Sequence, residues 1–173
     1  MRRSSHWSVV CCLTLEWLAL GLWVGGMAVL IGAVIPAVFN TFGGQDSGGL
    51  FLTRAFEGYQ RFVIGAVVVL CASSWYRWWS GDAAVAVGRG ELVVLMLMVA
   101  MAGVIILVLH PQAVALQAEA FAVQGEAAKK AAFEALFRVL MPIRILYGVT
   151  LVLGMVLMGI KTKRSLTLGG SPV

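Results

Sequence analysis

The stretch GLWVGGMAVLIGAVIPAVF, from Gly21 to Phe39, decides the fold of this chain. It is the second half of an apolar run that begins at Val9, and Glu16 is the only charged residue in that run. At about 1.5 Å of rise per residue, a helix of this length crosses a hydrocarbon core of roughly 30 Å. The run therefore predicts a membrane-spanning helix.

Small residues recur along one side of this helix, at Gly21, Gly25, Ala28 and Gly32. Residues three or four positions apart share a helix face, so these four form a stripe that another backbone can approach closely. We predict that this glycine seam packs helices together, either in a homo-oligomer or against other membrane subunits. Pro36 has no amide hydrogen, which predicts that the helix bends or ends there.

The whole chain has the composition of a membrane protein. Hydrophobic residues make up 61% of it and charged residues 12%, which excludes an ordinary soluble domain. We predict an all-α integral membrane four-helix bundle, whose third and fourth helices extend beyond the bilayer because strong helix formers follow Pro111. The predicted boundaries are a single transmembrane domain over 1–164, with spans at about 9–39, 57–79, 91–112 and 137–160, and a flexible tail over 165–173.

The connections between spans are predicted from glycine and aromatic residues. The glycine-rich segment from Asn40 to Glu57 predicts a loop, with a short interfacial helix near Leu50 to Phe56. The aromatic cluster from Trp75 to Trp79 predicts a membrane surface, and Gly125 predicts the turn between the third and fourth helices.

The basic residues predict the orientation. The side that carries both termini has more of them than the other side, which places it in the cytoplasm. Its members are Arg2, Arg3, Arg77, Arg89, Lys161, Lys163 and Arg164. We predict a multi-pass protein of the inner or plasma membrane with both termini cytoplasmic. The net charge of +5 predicts no nucleic-acid partner here, because the basic residues lie at the ends of apolar runs.

Glu16 and Arg144 are the predicted intramembrane charges. A charge in hydrocarbon costs at least a few kcal/mol, so each of them needs a partner or a wet cavity. Three interpretations of Glu16 stay open: a protonated acid bonded to a carbonyl or serine, a proton or cation relay, and a contact between subunits. Because Glu16 lies about 10 Å away from Arg144 in depth, the candidate partners of Arg144 also include Glu57, Gln60 and Glu134.

The chain has two histidines, and its three cysteines show no CxxC spacing for zinc. His6 and His110 fall on opposite sides of the predicted membrane, so one subunit cannot hold a haem iron between them. We keep His110 as a polar candidate and predict no metal and no cofactor. The sequence has no nucleophile–base pair, phosphate-binding loop or HExxH motif, which predicts no catalytic residues and no enzyme activity.

The chain resembles the family of small four-helix membrane proteins typified by transmembrane protein 205. The segments that carry the resemblance are Leu22-Trp23-Val24-Gly25-Gly26, Pro36-Ala37-Val38-Phe39, Gly48-Gly49, Phe56 to Arg61, Leu109-His110-Pro111 and Phe137-Arg138. The resemblance implies a four-span bundle. Some members of that family are linked to resistance to metal-containing drugs, which implies transport or export.

Three functional hypotheses follow. The first is an oligomeric bundle that forms or assists a path for a small solute or ion. The second is a structural or accessory subunit of a larger membrane complex, which would use the glycine seam for docking. The third is a haem or copper redox protein that would use His110.

Overall fold

The computed structural model describes residues 6–42, 46–80, 86–122 and 125–169, and this part of the chain is helical without a strand. The predicted all-α fold is confirmed. The elements are α1 His6–Val29, a π-helical segment Leu30–Val34, α2 Ile35–Phe42, α3 Asp46–Ser80, α4 Arg89–Val104, a second π-helical segment Ile105–Leu109, α5 His110–Ala122 and α6 Glu126–Gly169.

Four stretches within these described residues are long and apolar enough to cross a membrane. They are Trp7–Phe42, Gly48–Ser80, Arg89–Ala122 and Glu134–Ser165. At about 1.5 Å per residue, each of them is longer than a hydrocarbon core of roughly 30 Å. Each predicted span lies inside one of these four stretches.

Three prolines of the described residues, Pro36, Pro111 and Pro142, lie inside helical stretches, and the first two follow a π-helical segment. The first helix does not end at Pro36, because a π-helical segment connects α1 to α2 just before it. The prediction that the third helix continues past Pro111 is confirmed, again with a π-helical segment directly before the proline. A proline lacks the amide hydrogen and crowds the carbonyl four residues earlier, and a wider π-helical turn accommodates this misfit.

The predicted loop from Asn40 to Glu57 is wrong for the residues that the structure describes, and residues 43–45 lie outside them. The structure shows α2 reaching Phe42 and α3 beginning at Asp46. A Cβ atom on Gly48 would lie 3.1 Å from Phe42 Cβ and 3.3 Å from Val38 Cγ1. Gly48 therefore allows α2 and α3 to approach each other, and it serves helix packing instead of a turn.

The turn before α6 agrees with the prediction from the sequence, whereas the C-terminal end of α6 does not. Gly125 has a φ of 114°, a conformation that glycine adopts readily, and the predicted turn between α5 and α6 is confirmed. Helix α6 continues to Gly169, into the predicted tail, because no proline or glycine interrupts residues 161–168. Residues 170–173 lie outside the described part of the chain.

The bundle is held together by close helix contacts around α1, which packs against α3 and α6. A Cβ atom on Gly26 would lie 2.8 Å from Tyr59 Cε2, and one on Gly154 would lie 2.4 Å from Val24 Cγ2. The Tyr59 hydroxyl donates a hydrogen bond of 2.5 Å to the backbone oxygen of Trp23. The largest fully buried apolar side chains among the described residues are Trp23, Leu20, Met27, Leu70, Met98 and Leu157.

The predicted glycine seam lies on the outer face of the bundle. Gly21, Gly25, Ala28 and Gly32 are all exposed. No described residue of another helix lies within 4 Å of a Cβ atom built on any of the three glycines. Within one chain, the glycine through which α1 closely approaches another helix is Gly26, which is next to the seam and not part of it.

Candidate functional site: a buried charge cluster and an opposite cavity

Four charged side chains meet at the end of the bundle where α1 and α4 begin and α3 and α6 end. They are Glu16, Arg77, Glu91 and Lys161, each on a different membrane-crossing stretch, and we call them the charge cluster. Their residues are only 1%, 4%, 2% and 8% exposed, respectively. The cluster therefore links all four helical stretches through buried charges.

Each acid in the charge cluster contacts both bases. Arg77 Nη1 donates to Glu16 Oε2 at 2.8 Å and to Glu91 Oε1 at 2.9 Å. Lys161 Nζ donates to Glu16 Oε2 and, at 2.5 Å, to Glu91 Oε1. The two negative and two positive formal charges balance, and Arg164 Nη1 adds a further contact at 3.6 Å from Glu91 Oε2.

Helix direction explains why these side chains converge. Side chains in a helix tilt toward its N-terminus. The two acids lie on helices that begin at this end, so they tilt toward the end of the bundle, whereas the two bases tilt back into it. Glu91 is in the first turn of α4 and Arg77 is in the last turn of α3, where the helix dipole favours an acid and a base, respectively.

Only one member of the charge cluster was predicted from the sequence. Glu16 was singled out because it interrupts an apolar run, and the structure shows it accepting hydrogen bonds from two cations instead of pairing with a carbonyl or serine. In the sequence, Arg77 and Lys161 have the positions of orientation signals, and Glu91 has the position of a span start. The available signal was that all four lie at the same end of the predicted bundle.

Arg144 and His110 lie at the other end of the bundle, where they line a cavity of about 270 Å³ between α2, α3, α5 and α6. From Glu16 to the cavity residue Ile35, the first helix rises by about 28 Å. Glu16 and Arg144 are therefore not brought together. Phe39 and Arg144 are both exposed, so the cavity opens at its rim.

Arg144 makes no ion pair with any residue in the described ranges. Of its predicted partners, Glu57 pairs with Arg54 at 3.3 Å. Gln60 is buried and faces a much smaller void of about 10 Å³. The guanidinium of Arg144 is thus left at the cavity.

The other polar groups in the cavity wall come from α3 and α5. Thr53 Oγ1 lies 2.6 Å from Gln117 Oε1, which fixes the side-chain oxygen of Gln117 against α3. His110, half-buried at the start of α5, also lines the cavity. Among the residues that the structure describes, no aspartate or glutamate is part of the lining.

Among the described residues, no group of three or more histidine, cysteine, aspartate or glutamate side chains could hold a metal ion. Cys11, Cys12 and Cys71 are free thiols. In the charge cluster, Glu16 and Glu91 are already engaged by cations. The side chain of His6 lies outside what the structure describes.

These features define a class, the multi-pass four-helix membrane proteins with a charged cluster inside the bundle. Within that class, the chain belongs to the family described as Domain of unknown function (DUF4149), whose sequence model matches residues 18–122. No curated protein and no solved structure shows significant similarity to the chain. The resemblance to the family typified by transmembrane protein 205 stays a prediction.

Proposed function

We propose that this protein forms or assists a path for a small solute across the membrane. In this proposal the cavity receives the solute, and the charge cluster closes the opposite end of the same bundle. One observation carries the proposal: an open cavity and a closed set of ion pairs lie about 28 Å apart along one helix, comparable to the thickness of the hydrocarbon core. A carrier that opens to one side at a time needs one open end and one closed end.

The chemistry of the charge cluster suits a closure that can open. Buried ion pairs add little net stability, because the attraction between the charges is offset by the loss of their hydration. When the helices part and water enters, each charge regains that hydration. The ion pairs of the charge cluster thus keep this end of the bundle closed, and the net free-energy cost of separating them stays small. The charges are those of Glu16, Arg77, Glu91 and Lys161.

The proposal includes an orientation. The positive-inside rule places both termini, and with them the charge cluster, on the cytoplasmic side of an inner or plasma membrane. Trp75, Trp78 and Trp79 are exposed at the same end of α3, as expected of side chains at headgroup level. The cavity then faces the opposite side, and export of metal-containing or other drugs is one use that such a path would have.

Water access to Ala19 tests the path without knowledge of the solute. Ala19 is 3% exposed and lies one turn beyond Glu16 toward the bundle centre, whereas Leu18, its neighbour, is 58% exposed on the outer surface. In a background where the three cysteines are replaced by alanine, Ala19→Cys should react with a membrane-impermeant thiol reagent, because opening of the charge cluster admits water. Leu18→Cys should stay unreactive, since it faces lipid at the same depth.

The labelling is measured on protein in sealed vesicles by the mass shift of the purified chain. Ala19→Cys that remains as unreactive as Leu18→Cys, while still extracting as folded protein, would contradict a path through this end of the bundle.

The exposed glycine seam favours a second candidate function, that of a structural or accessory subunit. A stripe without side chains on the outer face of α1 offers a close approach to a helix of another chain. The same surface would serve a homo-oligomer in the first proposal. The identity of the partner separates the two functions, since unrelated chains in a fixed ratio indicate an accessory subunit.

We predict that Gly25→Leu disrupts assembly without unfolding the chain. A side chain there meets no described residue of another helix within the chain, so the monomer should tolerate it. Crosslinking in native membranes should show fewer oligomers or complexes than for the wild type. Gly103→Leu is the matched control, because Gly103 on α4 also has nothing within 4 Å and lies outside the seam. Equal crosslinking of both variants would rule out the seam as an interface.

A further inference from the structure

We infer that the cavity binds a small single-chain amphiphilic anion, whose apolar chain lies between the helices and whose head contacts Arg144 and Gln117. This inference rests on the proposed function in one respect, since it names the class of solute that enters the path. The head can be any compact anionic group, such as a sulfonate or carboxylate, because the contacts involve hydrogen-bond donors and charge only.

The volume of the cavity limits the size of the ligand. An apolar cavity of about 150 Å³ in a protein holds benzene. Scaling from that case, the 270 Å³ found here holds roughly ten non-hydrogen atoms. A solute of that size is far smaller than a two-chain phospholipid, so we assign the cavity to a free solute and not to a lipid of the bilayer.

The walls suit an apolar chain. Side chains from each bounding helix line the space, including Val38 on α2, Phe56 on α3, Val114 on α5 and Leu140 on α6. A chain placed between them would be removed from water except at the open rim, and such burial is the usual source of affinity in small-molecule sites.

The polar groups select an anion. Arg144 is permanently charged, lines the cavity and makes no ion pair with any other described residue. The Thr53 hydroxyl donates to the oxygen of the Gln117 amide, and no described residue accepts from the two N–H donors of that amide, which we assign to the ligand. Because no described residue contributes a carboxylate to the lining, an anionic head gains attraction there, and a cationic head meets repulsion from Arg144.

Binding of hexanesulfonate tests the inference. This probe has a permanent negative charge and roughly ten non-hydrogen atoms, which matches the estimated size. The full chain is placed in nanodiscs of phosphatidylcholine, without residual detergent, and binding of radiolabelled hexanesulfonate is measured. We expect saturable binding that unlabelled hexanesulfonate displaces, while hexanol and hexyltrimethylammonium displace it much less.

Two arginine variants locate the site. Arg144→Gln should weaken hexanesulfonate binding by roughly tenfold, as expected for loss of one charge-assisted contact. Arg138→Gln is the matched control, since Arg138 is an exposed arginine on the same helix that does not line the cavity. It should bind as the wild type does.

Equal displacement by all three compounds, or equal binding by the two variants, would overturn the inference. Loss of binding in nanodiscs that contain phosphatidylglycerol would also overturn it, because the cavity would then belong to a bilayer lipid. Selective binding of hexanesulfonate together with an unreactive Ala19→Cys would support this inference and contradict the path. A reactive Ala19→Cys without selective binding would support the path and contradict this inference.

Discussion

Glu16→Gln should lower the stability of the bundle by about 3–5 kcal/mol, the range observed when one partner of a buried ion pair is removed. Glu16 is 1% exposed and accepts hydrogen bonds from Arg77 and Lys161. A neutral amide leaves these two cations with a single carboxylate, that of Glu91, in a buried site. The measurement is the free energy of unfolding in mixed micelles, compared with the wild type.

A second substitution should recover much of this loss. In Glu16→Gln combined with Lys161→Met, one charge of each sign is removed, and Arg77 and Glu91 remain as a pair. The matched control is Glu57→Gln, which breaks the partly exposed pair with Arg54 and should cost less than about 1 kcal/mol. A double variant less stable than Glu16→Gln alone would contradict the account of mutually balanced charges.

Gly154→Ala should also destabilise the protein, by about 1–3 kcal/mol, although alanine is normally the better helix former. The new methyl group would lie 2.4 Å from Val24 Cγ2 and 3.4 Å from Met98 Cε. Because Val24 is a short branched side chain, α1 and α6 must move apart to make room. Unfolding of the purified protein in mixed micelles measures the change.

Gly159→Ala is the control, and we expect it to raise the stability of the protein, whereas Gly154→Ala lowers it. Gly159 lies on the same helix with nothing within 4 Å, so alanine there should stabilise by up to about 1 kcal/mol through helix propensity. Val24→Ala combined with Gly154→Ala should restore part of the lost stability by removing the clashing atom. Equal effects of the two glycine substitutions would show that α1 and α6 do not pack closely at Gly154.

The number and positions of the helices could be predicted from the sequence, because they depend on local hydrophobicity and length. The glycines could not be assigned in the same way. Gly48 was predicted in a loop, but its role depends on Phe42 and Val38, which belong to another helix. Periodicity identified the stripe through Gly25, yet the residue that contacts Tyr59 is its neighbour Gly26, since periodicity does not say which face points inward.

The members of the charge cluster could also be predicted from the sequence only in part. Glu16 could be found because an acid within an apolar run is rare. Arg77 and Lys161 lie at the ends of predicted spans, where basic residues normally report orientation, and nothing local to them indicates that they turn inward. Their role depends on the direction of each helix and on which helices are neighbours. Arg144 was found for the same reason as Glu16, but the structure places it at the cavity and not with an acid.

The most direct test of the central claim is the ionisation state of Glu16 in the native protein. A difference infrared spectrum between the wild type and Glu16→Gln, recorded in lipid at neutral pH, reports the vibration of this one side chain. We expect loss of a band from an ionised carboxylate, because Arg77 and Lys161 both donate to it. Loss of a carbonyl band from a protonated acid would contradict it, since a neutral Glu16 could not balance the two cations of the charge cluster.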